Sequence, residues 1–377
     1  MLPELLLNVH RIHDWCTEYL AKNQRSFLLK GPWFANMDMF FTVDPANAHY
    51  ILRKNLSNFP KGPEFKEIFD PLGDGIFNSD SDSWKSQKKF AQAMMNHHSF
   101  YKFLLKTSQD KVENGLIPVL KYVREQGITV DLQDVFQRFT FDSTCLLVTG
   151  YDPGCLSPDF PEVSFCRSLE EGEEAVFYRH VVPESVWKLQ GWLGIGQERK
   201  LKKAREIVDR VLFDYIQRKR TEMKKENLQN LQKQEVEGVD LLTSYMDENK
   251  AMAANLKSED DNFLRDSILN FMLAGRDTRS SALTWFFWLL SNPKAETRIR
   301  EELKSIIPGE NFGKWYQFDI QELGNLVYLH GAFCEALRLF PPVPFQHKSP
   351  LAPDVLPTAT GSSQRRRSCF LCMQWGE

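Results

Sequence analysis

Three short constellations carry side chains able to do chemistry. The first is Ala274-Gly275-Arg276-Asp277-Thr278, set in a stretch from Asp266 to Leu290 with the length of a long helix and Ser291-Asn292-Pro293 as its stop signal. A glycine in mid-helix costs about 1 kcal/mol relative to alanine. The Thr278 hydroxyl can bond back to the Ala274 carbonyl and bend the helix, and a buried Asp277 needs a partner. Together these local penalties predict a helix middle shaped to face something other than side chains. The plainer alternative is a glycine that lets two helices approach, beside a solvated Arg276–Asp277 pair. The second constellation is Glu335-Ala336-Leu337-Arg338, stopped by Pro341-Pro342. Its charged residues share one helix face and can pair. The apolar or small neighbours Phe333, Cys334, Ala336, Leu337 and Leu339 predict that the pair is buried, where it would serve specificity more than stability. The third is Trp84-x-x-x-Lys88, which could jointly hold an anionic group or simply form part of a solvated basic face with Lys85 and Lys89.

Other patterns carry less. His10 and His13 lie near the start and receive no metal role. Cys369-x-x-Cys372 has neither a second pair nor a nearby histidine, so it does not make a zinc site. Gly191-x-x-Gly194-x-Gly196 has the wrong glycine order and no preceding strand, which excludes a dinucleotide loop. No metal ligand is assigned.

The elements that must position these residues are mostly helical. The 377 residues are 42% hydrophobic, with 28 phenylalanines, enough for a large core. A net charge of −3 implies no nucleic-acid partner. Seven scattered cysteines fit free thiols in a reducing compartment. No apolar window is long enough for a transmembrane helix. Periodicity predicts helices over 8–23, 45–55, 84–98, 100–126, 129–150, 162–180, 198–225, 241–246 and 326–340, with the second half of the 266–290 helix buried on all sides. A small β-hairpin is predicted over 26–43, with turn residues at Gly31-Pro32 and Asn36, and Asp44 is read as a helix cap with Pro45 at the first position.

In this order the constellations resemble the cytochrome P-450 family of haem-thiolate monooxygenases. Phe59-Pro60-Lys61-Gly62-Pro63-Glu64-Phe65 through Gly73-Asp74-Gly75-Ile76-Phe77 is similar to the plant long-chain alkane and fatty-acid hydroxylases, in particular the midchain alkane hydroxylases of cuticular wax synthesis. The resemblance runs from Met1 to Pro357. It implies a mainly α fold with minor sheets, haem as cofactor, a long alkyl substrate, an NADPH-cytochrome reductase as electron donor, a monomer, and the endoplasmic reticulum membrane as the family's location. On the residues, it implies that Thr278 hydrogen-bonds dioxygen and Asp277 supplies protons to it, with Ala274 and Gly275 lying over the haem. Trp84 and Lys88 would hold haem propionates, although the family more often has Arg at the second position. His347 would either meet a propionate or lie at the surface, and Glu335 with Arg338 would be a structural ion pair. Substrate would lie among 65–76, 162–195, the central helix and Val343-Pro344-Phe345.

The family's iron ligand is a cysteine in a Phe-x-x-Gly-x-Arg-x-Cys-x-Gly loop that follows the Glu–Arg pair. These 377 residues do not contain that pattern: Cys369 follows Arg365-Arg366-Arg367-Ser368. The composition also changes after Pro357, at Thr-Ala-Thr-Gly-Ser-Ser-Gln. Residues 1–357 therefore read as an incomplete domain of this family and 358–377 as a tail outside the fold, produced by a frameshift or mis-spliced exon. The reading expects no cysteine-ligated haem, no activity in this form, and, without an anchor, a cytosolic or peripheral location. The other expectation is a non-catalytic product or binding protein without haem. Reading the other two frames beyond codon 357 tests the frameshift: if neither encodes the cysteine loop, that explanation goes.

Overall fold

Apolar stripes on several predicted helices need one another for burial, and the computed structural model shows how they meet. It describes residues 2–31, 38–229, 239–247, 256–307, 309, 316–358 and 369–372. Helices α1 (Leu2–Leu7) and α2 (Ile12–Lys22) lead into a hairpin of β1 (Ser26–Leu29) and β2 (Met39–Thr42), with Ser26 opposite Thr42. Pro32 and Asn36, expected in its turn, lie outside the described residues. Asp44 caps α3 (Pro45–His49) as expected, accepting from the backbone N–H of Ala46 and Asn47. Short α4 (Gly62–Ile68) is followed by α5 (Ser81–Met95), α6 (His98–Lys111) and α7 (Ile117–Gln126). Between α6 and α7, the predicted single helix widens into a π-type turn over Val112–Leu116.

The middle of the molecule is built from α8 (Leu132–Thr149), α9 (Ser164–Val181), α10 (Glu184–Leu193), α11 (Gly196–Gln229), α12 (Leu241–Met246) and the central helix α13 (Asp261–Leu289). Asp131 caps α8 through the Gln133 N–H, and Asp260 caps α13 through those of Asn262 and Phe263. The glycines once considered for a phosphate loop end one helix and start the next: Gly194 sits at φ +63° after α10, and Gly196 opens α11. α13 lies along α8, and α9 along α11, around a core that includes Phe141, Leu212, Leu264, Ile268 and Met272. The chain ends with α14 (Pro293–Ile306), α15 (Ile320–Gly324), α16 (Val327–Leu339) and β3 (Phe345–Lys348).

Two differences from the expectations matter. The buried half of α13 is its first half; Phe287 and Trp288 near its end are 46% and 61% exposed. That end is only partly covered, with Trp285 stacked on Phe340, Phe286 against Phe333 of α16 and Phe287 against Phe136 of α8. Second, Cys369–Cys372, in the stretch read as lying outside the fold, form a strand β4 between β2 and β3, parallel to the first and antiparallel to the second. Cys-Phe-Leu-Cys is a segment of β-compatible residues that completes both neighbours' ladders. Among the described residues, no helix is long and apolar enough to cross a membrane.

Candidate active site

The turn Ala274–Thr278 sits where α13 passes α8 and α9. A Cβ on Gly275 would meet Thr144 Cγ2 at 2.7 Å and Oγ1 at 2.9 Å, so the glycine permits the close approach of α8. The Arg279 guanidinium donates to the same Thr144 hydroxyl. Thr278 Oγ1 donates to the Ala274 carbonyl at 2.6 Å, the back-bond expected from sequence. Ala274 and Thr278 are both half-buried.

Arg276 corrects the expectation of a solvated pair: its side chain is fully buried. Its Nη2 donates to Glu170 Oε1 at 2.5 Å, and its Nη1 lies 3.5 Å from Glu173 Oε2 and 3.4 Å from Asp277 Oδ1. Three carboxylates, two of them from α9, thus surround one guanidinium. Like charges this close disfavour one another's ionisation. Burial, then the charge and hydrogen bond of Asp277, push the Glu173 carboxyl well above its ordinary range; Arg276 opposes the shift and Glu170 adds to it. Of the three carboxyls, Glu173 is thus the one whose protonation the cluster favours. Nothing local in the sequence linked α9 to Arg276, because the acidic run Glu170, Glu171, Glu173 and Glu174 also reads as a solvated helix face.

Glu173 lines a cavity of about 310 Å³. Phe69 and Leu72, Leu169 and Val176, Leu269 and Leu273 give it apolar walls, with His180 and Arg265 among its polar lining. The expected contributions of 65–76, 162–195 and the central helix are present; α11 adds Leu201, Ala204 and Val208, and residues 343–345 are not in the lining. The loop before α5 is fastened to α13: the Asp74 N–H donates to Asp266 Oδ2 and the Phe77 N–H to Asn270 Oδ1, both at 2.8 Å. Gly73 has φ +59°, and a Cβ there would lie 2.0 Å from the Asp266 carboxylate. This contact explains the Gly73-Asp74-Gly75 signal.

The remaining sequence-derived residues fall as follows. Lys88 Nζ sits 4.7 Å from the Trp84 ring centre near the start of α5, so that pair forms, with Lys88 exposed. Glu335 and Arg338 form a two-pronged pair at 2.6 and 2.8 Å, but with side chains 54% and 36% exposed. The expected burial fails because two of the five neighbours that suggested it, Cys334 and Leu339, are themselves exposed, while Ala336 is buried on the opposite face. His347 is buried on β3, edge-on to Phe65, with Nε2 3.3 Å from Ser349 Oγ. Burial first, then His180 and Lys348, lower its pKa to about 3. It is therefore neutral and not the surface histidine that was the alternative.

Ala274 and Thr278 present a small half-buried face of the kind the family sets over haem, and the Lys88 cation beside the Trp84 ring has the charge a propionate would need. On the other side, Cys145 and Cys155 are buried in the helical core, and Cys334 is exposed in a pattern unlike the iron-ligating loop. Among the described residues, no cluster of His, Cys, Asp or Glu could hold a metal ion.

Sequence comparison agrees with the arrangement of these elements. The family model "Cytochrome P450" matches residues 5–357. The chain belongs to the cytochrome P450 family. It is 44% identical over 359 residues to alkane hydroxylase MAH1 of Arabidopsis thaliana, covering 95% of this chain and 69% of the relative. It is 37% identical over 370 residues to cytochrome P450 86B1 of Arabidopsis thaliana, covering 96% and 65%. Noroxomaritidine synthase 1 of Narcissus pseudonarcissus is 36% identical over 363 residues, covering 95% and 68%. The crystal structure of the cytochrome P450 CYP102L1 superposes with a TM-score of 0.71 at 15% identity, covering 95% of this chain and 76% of that one, and shares the P450 fold.

Proposed function

We propose that this P450 chain takes long-chain alkyl compounds, alkanes or fatty acids, for hydroxylation in lipid or cuticular wax metabolism. The observation that carries this reading is the cavity of about 310 Å³ with apolar walls that runs from the loop before α5 to Glu173. Its volume falls at the lower end of the range for small-molecule sites. The similarity to an alkane hydroxylase supports the same substrate class. Haem, when bound, supplies the oxygen chemistry, with electrons from a reductase. This chain's residues shape the alkyl site and set a carboxyl of raised pKa, Glu173, at its wall. Glu173, whose raised pKa favours protonation, stands at the cavity wall near Asp277, whose neighbour Thr278 lies on the half-buried face of the turn. Lys88 and Trp84 would meet a propionate.

Two measurements test this. Displacement of a fluorescent fatty acid by alkanols of increasing length should show affinity rising about fourfold per methylene, the equivalent of about 0.8 kcal/mol each. The rise should stop when the cavity is full. Ala204→Phe, which fills it, should move that limit to shorter chains; affinity independent of length would sink the alkyl reading.

A further inference from the structure

Three walls of the alkyl cavity are faces of α9, α11 and α13, and helix packing fixes where they stand. The fourth is irregular: Phe69, Pro71 and Leu72 line it from the strap between α4 and α5, which makes a single tight turn over Asp70–Leu72. Buried carbonyls in such a segment need donors from elsewhere. Three buried side chains supply them. Arg179 of α9 donates through Nη1 to the carbonyls of Glu67 and Ile68, at 3.1 and 2.9 Å. Arg265 of α13 donates to that of Pro71 at 2.7 Å, and its Nε donates to Asp209 of α11, also at 2.7 Å. Asn270, fully buried on α13, donates to the Leu72 carbonyl at 3.0 Å and accepts from the Phe77 N–H at 2.8 Å. It therefore grips the strap on both sides of the Gly73–Gly75 turn, and a Cβ on Gly75 would lie 2.2 Å from its Nδ2.

We propose that Asn270 sets the longest alkyl chain the cavity admits, as a positioning residue that fixes how far the strap stands from the central helix. This role rests on the cavity's taking an alkyl chain, as proposed above. Asn270 is not itself in the lining, so it acts through the residues it holds. Leu269 and Leu273 of the same helix do line the cavity. One turn of α13 thus carries one wall and the tie to another. The tie has little freedom. Its second Nδ2 hydrogen goes to the Asp266 carbonyl at 2.7 Å, one turn earlier, so every hydrogen-bonding atom of the amide is engaged. Without the amide, Arg265 still holds Pro71, but Leu72 and the turn after it lose their link to α13 and can retreat before a longer chain.

The test follows displacement of a fluorescent fatty acid by an alkanol series, in the 377-residue chain and in three variants. In the parent chain, affinity should rise about fourfold per methylene up to a limiting length. Asn270→Ala should keep that slope for short chains and carry the rise about two methylenes further, so that alkanols just beyond the parent limit bind about 16-fold more tightly. Asn270→Asp keeps an acceptor for the Phe77 N–H and loses the donor to Leu72. It should move the limit the same way, and it decides the question should the alanine variant fail to fold. Thr149→Val removes a buried hydroxyl bonded to the Cys145 carbonyl of α8, outside the cavity lining, and should leave the limit in place. A limit unmoved by either Asn270 variant, with native helix by circular dichroism, would overturn the role of Asn270 and leave the alkyl reading standing. An equal shift with Thr149→Val would overturn it too, since general loosening would then explain the change. Affinity independent of length in the parent chain would sink the alkyl reading and the role of Asn270 with it.

Discussion

Arg276 and Arg338 each hold carboxylates, and the structure treats them in opposite ways. Arg338 takes Glu335, three residues earlier on its own helix, and both remain in contact with water. Arg276 takes one neighbour, Asp277, and two carboxylates from α9, 106 and 103 residues earlier, and is fully buried. Residue spacing revealed the first pair because a helix fixes the distance between positions three apart. It said nothing of the second, whose partners depend on how α9 crosses α13. The lesson concerns burial: apolar neighbours along a helix show that some face is covered, not which one.

The largest effect that would test this contrast is on Arg276. Arg276→Met should destabilise the chain by about 1–3 kcal/mol, because it removes a fully buried cation and its charged hydrogen bond to Glu170 and leaves three half-exposed carboxylates facing one another. Urea unfolding measures this, and Glu170→Gln in the same chain should recover part of the loss. A loss below about 1 kcal/mol would show that the cluster relaxes into water and that its burial has little energetic consequence.

Next comes the helix contact that sets the cluster in place. Gly275→Ala should cost about 1–2 kcal/mol net: overpacking against Thr144 costs about 1–3, and helix propensity returns up to about 1. A double-mutant cycle with Thr144→Ala should show coupling, since the second change removes two of the three atoms a Cβ would strike, Arg279 Nη2 at 2.7 Å being the third. Additive effects would mean that α8 yields freely.

The third effect is on pH dependence. The folded-state pKa of Glu173 is raised. Between the ordinary carboxylate range and that raised value, the folded chain keeps a proton that the unfolded chain has lost, so stability falls as pH rises through this window. Glu173→Gln should flatten that part of the curve, with a change of at most one proton in the slope. An unchanged profile would place the shared proton elsewhere.

The helical plan, the hairpin, the Asp44 cap and the Thr278 back-bond were legible in the sequence because each depends on residues within a few positions of one another. So were the 65–76 and 162–195 walls of the cavity, through the resemblance to known hydroxylases. The Glu170–Glu173–Arg276 cluster and the pinning of Gly73 by Asp266 were not, because the placement of distant segments decides each of them. The misplaced burial within α13 has the same origin. Its aromatic second half, Trp285-Phe286-Phe287-Trp288, looks core-forming along the chain, yet only one side meets α16.

The smallest effect is expected at the pair that spacing revealed. Their mutual hydrogen bond lowers the Glu335 pKa and raises that of Arg338. A lowered carboxylate contributes stability above its unfolded pKa and loses it as pH falls. Here water and salt screen both partners, and exposed pairs of this kind seldom register in unfolding experiments. Arg338→Met should therefore leave the urea midpoint within experimental error at neutral pH, and moderate salt should not change that result. The same substitution with a loss comparable to Arg276→Met would break the contrast, because the carboxylate left behind would then have to be inaccessible to water. Solvent access to Glu335, and not its spacing from Arg338, is what this experiment measures.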